Sequence, residues 1–225
     1  MRADQDIRRD VERQLGWEPS IDAREVGVAV KDGIVTLSGF VHAFLEKLDA
    51  ARAAKRVTGV LGLANDIEVQ PRDQRTDGEI AHAAVDTLKA HTSVPEGAVR
   101  PAVTNGVVTL EGEVEWQYQR DAAQAVVRGL RGVKQVINQI ALKPKARPSA
   151  SDIKIKIEDA LKRSAQVDAR RITVAATEGT VVLRGTVRSY WEQEEAEAAA
   201  WAAPGVTRVD NRIEIAVPAY EDDYE

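Results

Sequence analysis

The sequence predicts an α+β protein made of three tandem copies of a small α-β-β-α-β domain, each a three-stranded sheet with two helices on one face. Three observations predict this fold: a repeat of 73 residues, a change from helical to alternating apolar spacing in each copy, and a glycine-bearing hairpin turn at the same place in each copy. The positions that recur at two intervals of 73 residues are Gly33, Gly106 and Gly179; Gly39, Gly112 and Gly185; Gly59, Gly132 and Gly205; and Asn65, Asn138 and Asn211.

Each copy begins with an amphipathic helix and a hairpin. Ile7, Val11 and Leu15 are four residues apart, which places them on one helix face. Two runs of alternating apolar residues follow, which is typical of strands, and Asp32-Gly33 lies between them. An Asp-Gly pair at that place predicts a two-residue turn, because glycine readily adopts a positive φ.

A second helix and a last strand complete each copy. Small apolar residues from Ala50 to Val57 recur at helical spacing, which lets this helix lie close to the sheet. Gly59 follows where the C-terminus of a helix favours a left-handed residue. Leu63 and Ile67 belong to the alternating pattern of the last strand.

These repeats predict domains at 2–71, 75–144 and 149–218, followed by an acidic tail at 219–225. The segments between the domains are short, charged and rich in proline, as is typical of linkers. The tail carries four acidic side chains and no basic one, and we interpret it as a solubilising end. The alternative is a docking motif for a basic partner.

Composition excludes several classes of protein. The 225 residues carry a formal net charge of -5, which disfavours binding to nucleic acid, and no cysteine, which excludes disulfides and thiolate metal sites. The longest apolar run is too short to span a bilayer.

The polar amino terminus shows no signal peptide, which predicts a cytoplasmic protein, or a periplasmic one if the chain is a processed form. Each sheet leaves an exposed edge, which permits oligomers without requiring them.

The hairpin strings VKDGIVTLSG, VTNGVVTLEG and AATEGTVVLRG, with the Gly-Val and Asn positions after them, resemble the BON domain family over about residues 2–218. The resemblance implies a non-catalytic α/β module, usually of the bacterial envelope, associated with phospholipid binding and with resistance to osmotic and other stress. Some relatives bind potassium, and others resemble the small domains of secretin rings. The sequence departs from the family in lacking an export signal and a lipoprotein cysteine.

No catalytic group is expected. The positions identical in all three copies are glycines, aliphatic residues and one asparagine, none of which moves a proton at neutral pH. His42, His82 and His91 occupy unrelated places in the repeat and lie in no metal-ligand pattern. We therefore predict no enzyme, no cofactor and no metal site. An enzyme with active sites between units remains the alternative, although the sequence offers no candidate pair of residues.

The repeated asparagines and the glycines of the second strand are expected to be structural. Asn65 shares the inward parity of Ile67, so its amide is predicted to satisfy backbone groups where the last strand begins. The alternative is that this amide belongs to a ligand site. Gly39 also faces inward, which predicts close packing or a bulge, although the family resemblance attaches functional weight to it.

Aromatic residues gather where each hairpin meets the second helix. The equivalent positions Leu45, Tyr118 and Trp191 are predicted to lie in the core. The other aromatic residues are candidates for a membrane interface, a partner's pocket or packing between the tandem domains. These candidates are Phe44, Trp116, Tyr190 and Trp201.

The middle unit is the candidate binding unit. Residues 74–146 hold nine Lys and Arg against eight Asp and Glu, whereas the other two units are acidic. Its candidate binding bases are Arg128, Arg131, Lys134, Lys143 and Lys145. Bases near the end of a helix also complement its dipole, which is the structural alternative.

Two functions follow from these features. The favoured one is a stress-associated adaptor that engages phospholipid headgroups or an envelope or protein partner. The alternative is a sensor that binds a cation, such as potassium, or a small ligand.

Overall fold

The computed structural model describes residues 2–72, 75–145, 148–164 and 168–216, and the acidic tail at 219–225 lies outside this part of the chain. Unit 1 contains α1 (Asp4–Trp17), β1 (Val26–Lys31), β2 (Ile34–Val41), α2 (Phe44–Lys55), β3 (Gly62–Asn65) and β4 (Glu68–Val69). Unit 2 contains α3 (Asp77–Ala90), β5 (Val99–Thr104), β6 (Val107–Val114), α4 (Gln117–Arg128), β7 (Gln135–Asn138) and β8 (Ala141–Leu142). Unit 3 contains α5 (Ala150–Arg163), β9 (Ile172–Thr177), β10 (Thr180–Val187), α6 (Tyr190–Trp201) and β11 (Arg208–Ile215). The α-β-β-α-β order predicted from the repeat is confirmed.

The second strand is the centre of each sheet. β2 pairs antiparallel with β1, with Val35 opposite Val30, and parallel with β3, with Val35 opposite Leu63. Units 2 and 3 repeat this topology around β6 and β10. Both helices of unit 1 pack against one face of the sheet, because α1 buries its Ile7 stripe there and α2 buries Ala50, Ala53 and Ala54.

The last strand is interrupted at the repeated asparagine in units 1 and 2, whereas β11 is continuous. The Oδ1 of Asn65 accepts a hydrogen bond from the backbone N–H of Ile67 at 3.3 Å, and its Nδ2 donates to the carbonyl of Lys47 at 3.1 Å. The corresponding amides of Asn138 and Asn211 accept from Ile140 and Ile213. The predicted backbone role of these amides is confirmed, although they lie within the last strand and not at its start.

The inward glycine of the second strand allows a close backbone approach. Gly39 has a φ of +105°, and a Cβ built there would lie 1.9 Å from the carbonyl oxygen of Glu25. No side chain fits at that distance, so the predicted close packing is confirmed. The same 1.9 Å distance separates a Cβ at Gly112 from the oxygen of Ala98, and a Cβ at Gly185 from the oxygen of Arg171.

A carboxylate fastens the hairpin turn to the first helix in two of the three units. The oxygens of Asp4 accept from the N–H groups of Asp32 and Gly33 at 2.9 and 3.0 Å. Asp77 does the same in unit 2 with the turn residues there. The equivalent position in unit 3 is Ala150, which carries no carboxylate. This contact was not predicted from the sequence, although Asp4 and Asp77 are 73 residues apart.

The units meet through their second helices. Phe44, the first residue of α2, is 8% exposed and belongs to the core cluster of unit 2. Tyr190, the first residue of α6, packs against the core of unit 1, and its hydroxyl donates to the carbonyl of Leu61 at 3.0 Å. An ion pair between Lys55 and Glu194 at 2.8 Å joins the same two units. At each of these two joints, the first turn of one unit's second helix packs against the neighbouring unit. At the joint between units 3 and 1, this contact lies near Lys55, the last residue of α2.

The three joints run in the same direction and close a cycle. Unit 1 meets unit 2 through Phe44, and unit 3 meets unit 1 through Tyr190. The equivalent first residue of α4 is Gln117, which faces the end of α6 across a cleft. The cycle therefore has two joints filled by aromatic side chains and one joint that is open.

This arrangement corrects the predicted burial of the aromatic residues. Tyr118 and Trp191, expected in the core, are 58% and 46% exposed, whereas Phe44 is buried between units 1 and 2, as in one of the three alternatives predicted for it. Periodicity within one copy assigned these positions to that copy's own core. The apolar surface that buries Phe44 comes from the neighbouring unit.

Gly112→Val should lower the free energy of unfolding by at least about 3 kcal/mol, since the new side chain meets a backbone oxygen and the residue is forced to a positive φ. Chemical denaturation followed by circular dichroism measures this loss. Gly78→Val is the matched control, because a Cβ at Gly78 has no neighbour within 4 Å. Equal stability of Gly112→Val and the unchanged protein would refute the packing role.

Ala150→Asp should stabilise unit 3 by about 1 kcal/mol, because the new carboxylate can accept from the turn amides of Glu178 and Gly179 as Asp77 does in unit 2. The shift of the thermal unfolding transition measures this gain. Ser151→Asp adds the same charge to the first turn of α5, one residue away from position 150. If both variants gain equally, the helix dipole and not the hydrogen bonds to the hairpin turn explains the effect.

Candidate functional site

The open joint holds a cleft of about 1,170 Å³ between α4 of unit 2 and α6 of unit 3. Three aromatic side chains line it, namely Trp116, Tyr118 and Trp201. Its polar and charged lining residues are Gln117, Asp121, Arg128, Glu194 and Glu197. A few polar groups among aromatic walls are typical of a site for a small molecule.

Local hydrogen bonds hold the two indole-bearing segments in place. Trp116 precedes α4, and the Oε1 of Gln119 accepts from its backbone N–H and from that of Glu115, both at 3.0 Å. Trp201 is the last residue of α6, and its Nε1 donates to the Oε1 of Glu197 at 3.2 Å. The indoles are therefore carried on helix ends that face each other across the joint.

Acidic groups dominate the charge of the cleft. Glu194 is paired with Lys55 of unit 1, whereas Glu197 accepts from two neutral donors, the Nε1 of Trp201 and the Nδ2 of Asn211. Burial raises the pKa of the Asp121 carboxyl above its usual value, and the hydrogen bond from Gln117 offsets part of this effect. A cation in the cleft would favour the charged form of the Asp121 carboxyl.

Two buried polar atoms of the cleft residues lack partners within the described part of the chain. The Nε of Arg128 has no acceptor, and the Oε1 of Gln117 has no donor. The Nε2 of the same Gln117 donates to Asp121 at 2.9 Å. Buried polar atoms are usually satisfied, so this pair marks a place where a ligand can form hydrogen bonds once the two side chains turn toward the cleft.

The structure brings together three of the binding residues predicted from the sequence. Trp116, Arg128 and Trp201 line the cleft, whereas Phe44 and Tyr190 fill the other two joints. Sequence reasoning missed the cleft's acidic residues and Gln117. The available signal was a glutamine at the repeat position where the other copies have an aromatic residue.

The other four predicted bases lie elsewhere. Arg131 lines a groove between units 1 and 2, and Lys134 lies beside the turn of unit 2. Lys143 pairs with Glu113, and Lys145 pairs with Glu115 at 3.4 Å. The structure therefore does not gather the five predicted bases into one patch.

None of the helices in the described ranges has the length and hydropathy of a membrane-spanning segment. Within the same ranges no three His, Asp or Glu side chains form a group suited to a metal ion.

Comparison with known proteins identifies the repeated unit. The BON domain profile matches residues 3–71, 76–144 and 149–217. The chain is 32% identical over 149 residues to osmotically-inducible protein Y of Escherichia coli K12, covering 62% of this chain and 73% of that protein. It is 28% identical over 123 residues to an uncharacterized protein in the gshII 5' region of Anaplasma centrale, covering 52% and 82%. A solved structure of CdsD, a structural protein of the type III secretion system of Chlamydia trachomatis, aligns over 98% of this chain and 99% of its own length, with 16% identity and a TM-score of 0.28. With three matched domains that span most of its length, the chain belongs to the BON domain family.

Proposed function

We propose that this protein is a non-catalytic, stress-associated module that binds phospholipid headgroups through unit 2 and its joint with unit 3. The observation that carries the proposal is the cleft, where Trp116, Arg128 and Trp201 lie together. Membership of the BON family and the similarity to an osmotically inducible protein support the association with stress.

Aromatic side chains at the cleft suit a membrane surface. Tyr118 is 58% exposed beside the cleft, and Trp116 and Trp201 are partly buried there. Tyr and Trp rings favour the headgroup level of a bilayer, because one part of the ring is apolar and the other forms hydrogen bonds. These rings would contact headgroups while the protein remains outside the apolar core of the membrane.

The charge of unit 2 supports a weak attraction to an anionic surface. Residues 74–146 carry a net charge of +1, whereas the other two units are negative. We assign the attraction to Arg131 and Lys134, which follow the end of α4. Each base near an anionic surface contributes about 1 kcal/mol, so salt should weaken the attachment.

The test is flotation of the full chain with vesicles of phosphatidylethanolamine and phosphatidylglycerol at low and high salt. The unchanged protein should float with the vesicles and be released by salt. Arg131→Glu combined with Lys134→Glu should weaken association by at least about tenfold at low salt, because attraction becomes repulsion. Trp116→Ala should weaken it at both salt concentrations.

The matched control is Lys156→Glu combined with Arg163→Glu, which changes the charge by the same amount on exposed positions of α5. The control should lose less vesicle association than the Arg131→Glu, Lys134→Glu variant, because it changes the net charge of the protein but not the proposed contact. Equal losses of vesicle association in the two double variants would show that unit 2 does not form the contact with the vesicles. Failure of the folded protein to float at low salt would overturn the function, and recovery of a protein partner in its place would favour an adaptor between proteins.

A further inference from the structure

The open joint has an amide side chain at the position where the other two joints have an aromatic ring. Phe44 and Tyr190 carry an aromatic ring into the neighbouring unit, whereas Gln117 stands at the equivalent position of unit 2. Among the described residues, the core cluster of unit 3 contains no side chain from unit 2. The amide of Gln117 does not enter the core of unit 3, and this joint holds a cleft of about 1,170 Å³. A volume of this order accommodates a small molecule.

The repeat explains why the Nε of Arg128 has no acceptor among the described residues. Arg128 corresponds to Lys55, which is paired with Glu194 across the joint between units 3 and 1. In the joint between units 1 and 2, the position equivalent to Glu194 is Leu48, which packs against the core of unit 2. The guanidinium therefore lacks the cross-joint carboxylate that balances Lys55, although its charge acts on Asp121 of its own helix, and its buried Nε finds no acceptor in the described ranges. An anionic group in the cleft would supply both the negative charge and the hydrogen-bond acceptor for Arg128.

The opposite features favour a cation in the same cleft. Glu197 receives hydrogen bonds from the neutral groups of Trp201 and Asn211, so these bonds leave its negative charge unbalanced. The faces of Trp116 and Trp201 attract positive charge, and this attraction strengthens where water is excluded. A ligand that pairs with Arg128 and also with Glu197 and the two indole faces carries one negative and one positive charge.

Gln117 specifies which kind of cation fits. Its Nε2 is occupied by Asp121, and its buried Oε1 has no donor within the described chain. An ammonium group that keeps an N–H bond can donate to this oxygen. A fully methylated ammonium cannot, and would leave a buried acceptor unsatisfied.

We infer that the cleft binds a small zwitterion whose ammonium group retains N–H bonds and whose other end is a phosphate or carboxylate. The inference rests on the proposed function in one respect, since the aminoethyl phosphate headgroup of phosphatidylethanolamine has this chemistry. A free aminoalkyl phosphate has the same chemistry, and the experiment separates the two sources.

The test is isothermal titration of the full chain with O-phosphoethanolamine and with phosphocholine, which differ in the N–H bonds of the ammonium group. Phosphoethanolamine should bind at least about tenfold more tightly, because it satisfies the oxygen of Gln117. Gln117→Leu should reduce this preference to less than about threefold, because the acceptor is gone. Arg128→Gln should weaken binding of both ligands by at least about tenfold.

A filling substitution tests the open joint itself. Gln117→Phe places at this joint the residue found at position 44, and it should abolish binding while the melting temperature stays equal or rises. Trp17→Ala and Arg100→Gln are the controls, because both residues lie outside the cleft lining. Both controls should bind as the unchanged protein does.

The outcomes separate this inference from the proposed function. The zwitterion site is overturned by any of three results. These are equal affinity for the two ligands, no binding of either ligand at about 10 mM, and full binding by folded Gln117→Phe. If vesicles still bind in those cases, the proposed function survives. Displacement of the protein from phosphatidylethanolamine vesicles by phosphoethanolamine identifies the lipid as the source. Binding of phosphoethanolamine without vesicle association identifies a free solute and overturns the proposed function alone.

Discussion

Burial of one side chain in a neighbouring unit governs how the three domains assemble. The first residue of the second helix projects beyond its own unit, so an apolar ring at this position must be covered by the next unit to leave water. Phe44 and Tyr190 meet this requirement, and each ties two cores together. Gln117 has little apolar surface to bury, so the third joint is held by the closure of the other two. The cleft is a direct consequence.

The sequence was sufficient to predict the features that every copy needs. A Cβ at Gly39 would lie 1.9 Å from a backbone oxygen, so the same residue is required in each copy and its spacing is visible along the chain. Asn65 is repeated for a similar reason, since its amide satisfies the backbone N–H of Ile67 at the interruption of the strand. The fold class and the element order followed from such positions without knowledge of any long-range contact.

The relations between copies could not be predicted in the same way. Tyr118 and Leu45 share a repeat position and Phe44 precedes it, so periodicity within one unit assigned the wrong residue to the core. The cover for Phe44 comes from the core of unit 2, which lies far away in the chain. The candidate site was therefore only partly predictable: Trp116 and Arg128 stood out as an aromatic residue and a base, while their position on the same cleft depends on how the units pack.

A triplicated domain gains a distinct site when equivalent positions diverge at one joint. Lys55 and Glu194 form an ion pair at the closed joint between units 3 and 1, while the corresponding positions across the open joint are occupied by Trp201 and Asp121. In the ion pair of Lys55 and Glu194, each charge is balanced by the other. The indole of Trp201 and the carboxyl of Asp121, whose pKa is raised, can instead interact with a ligand. The two filled joints can then supply rigidity, which lowers the conformational cost of binding at the third. In the proposed zwitterion site, the chemistry comes from the positions where the three copies differ and not from the positions that they share.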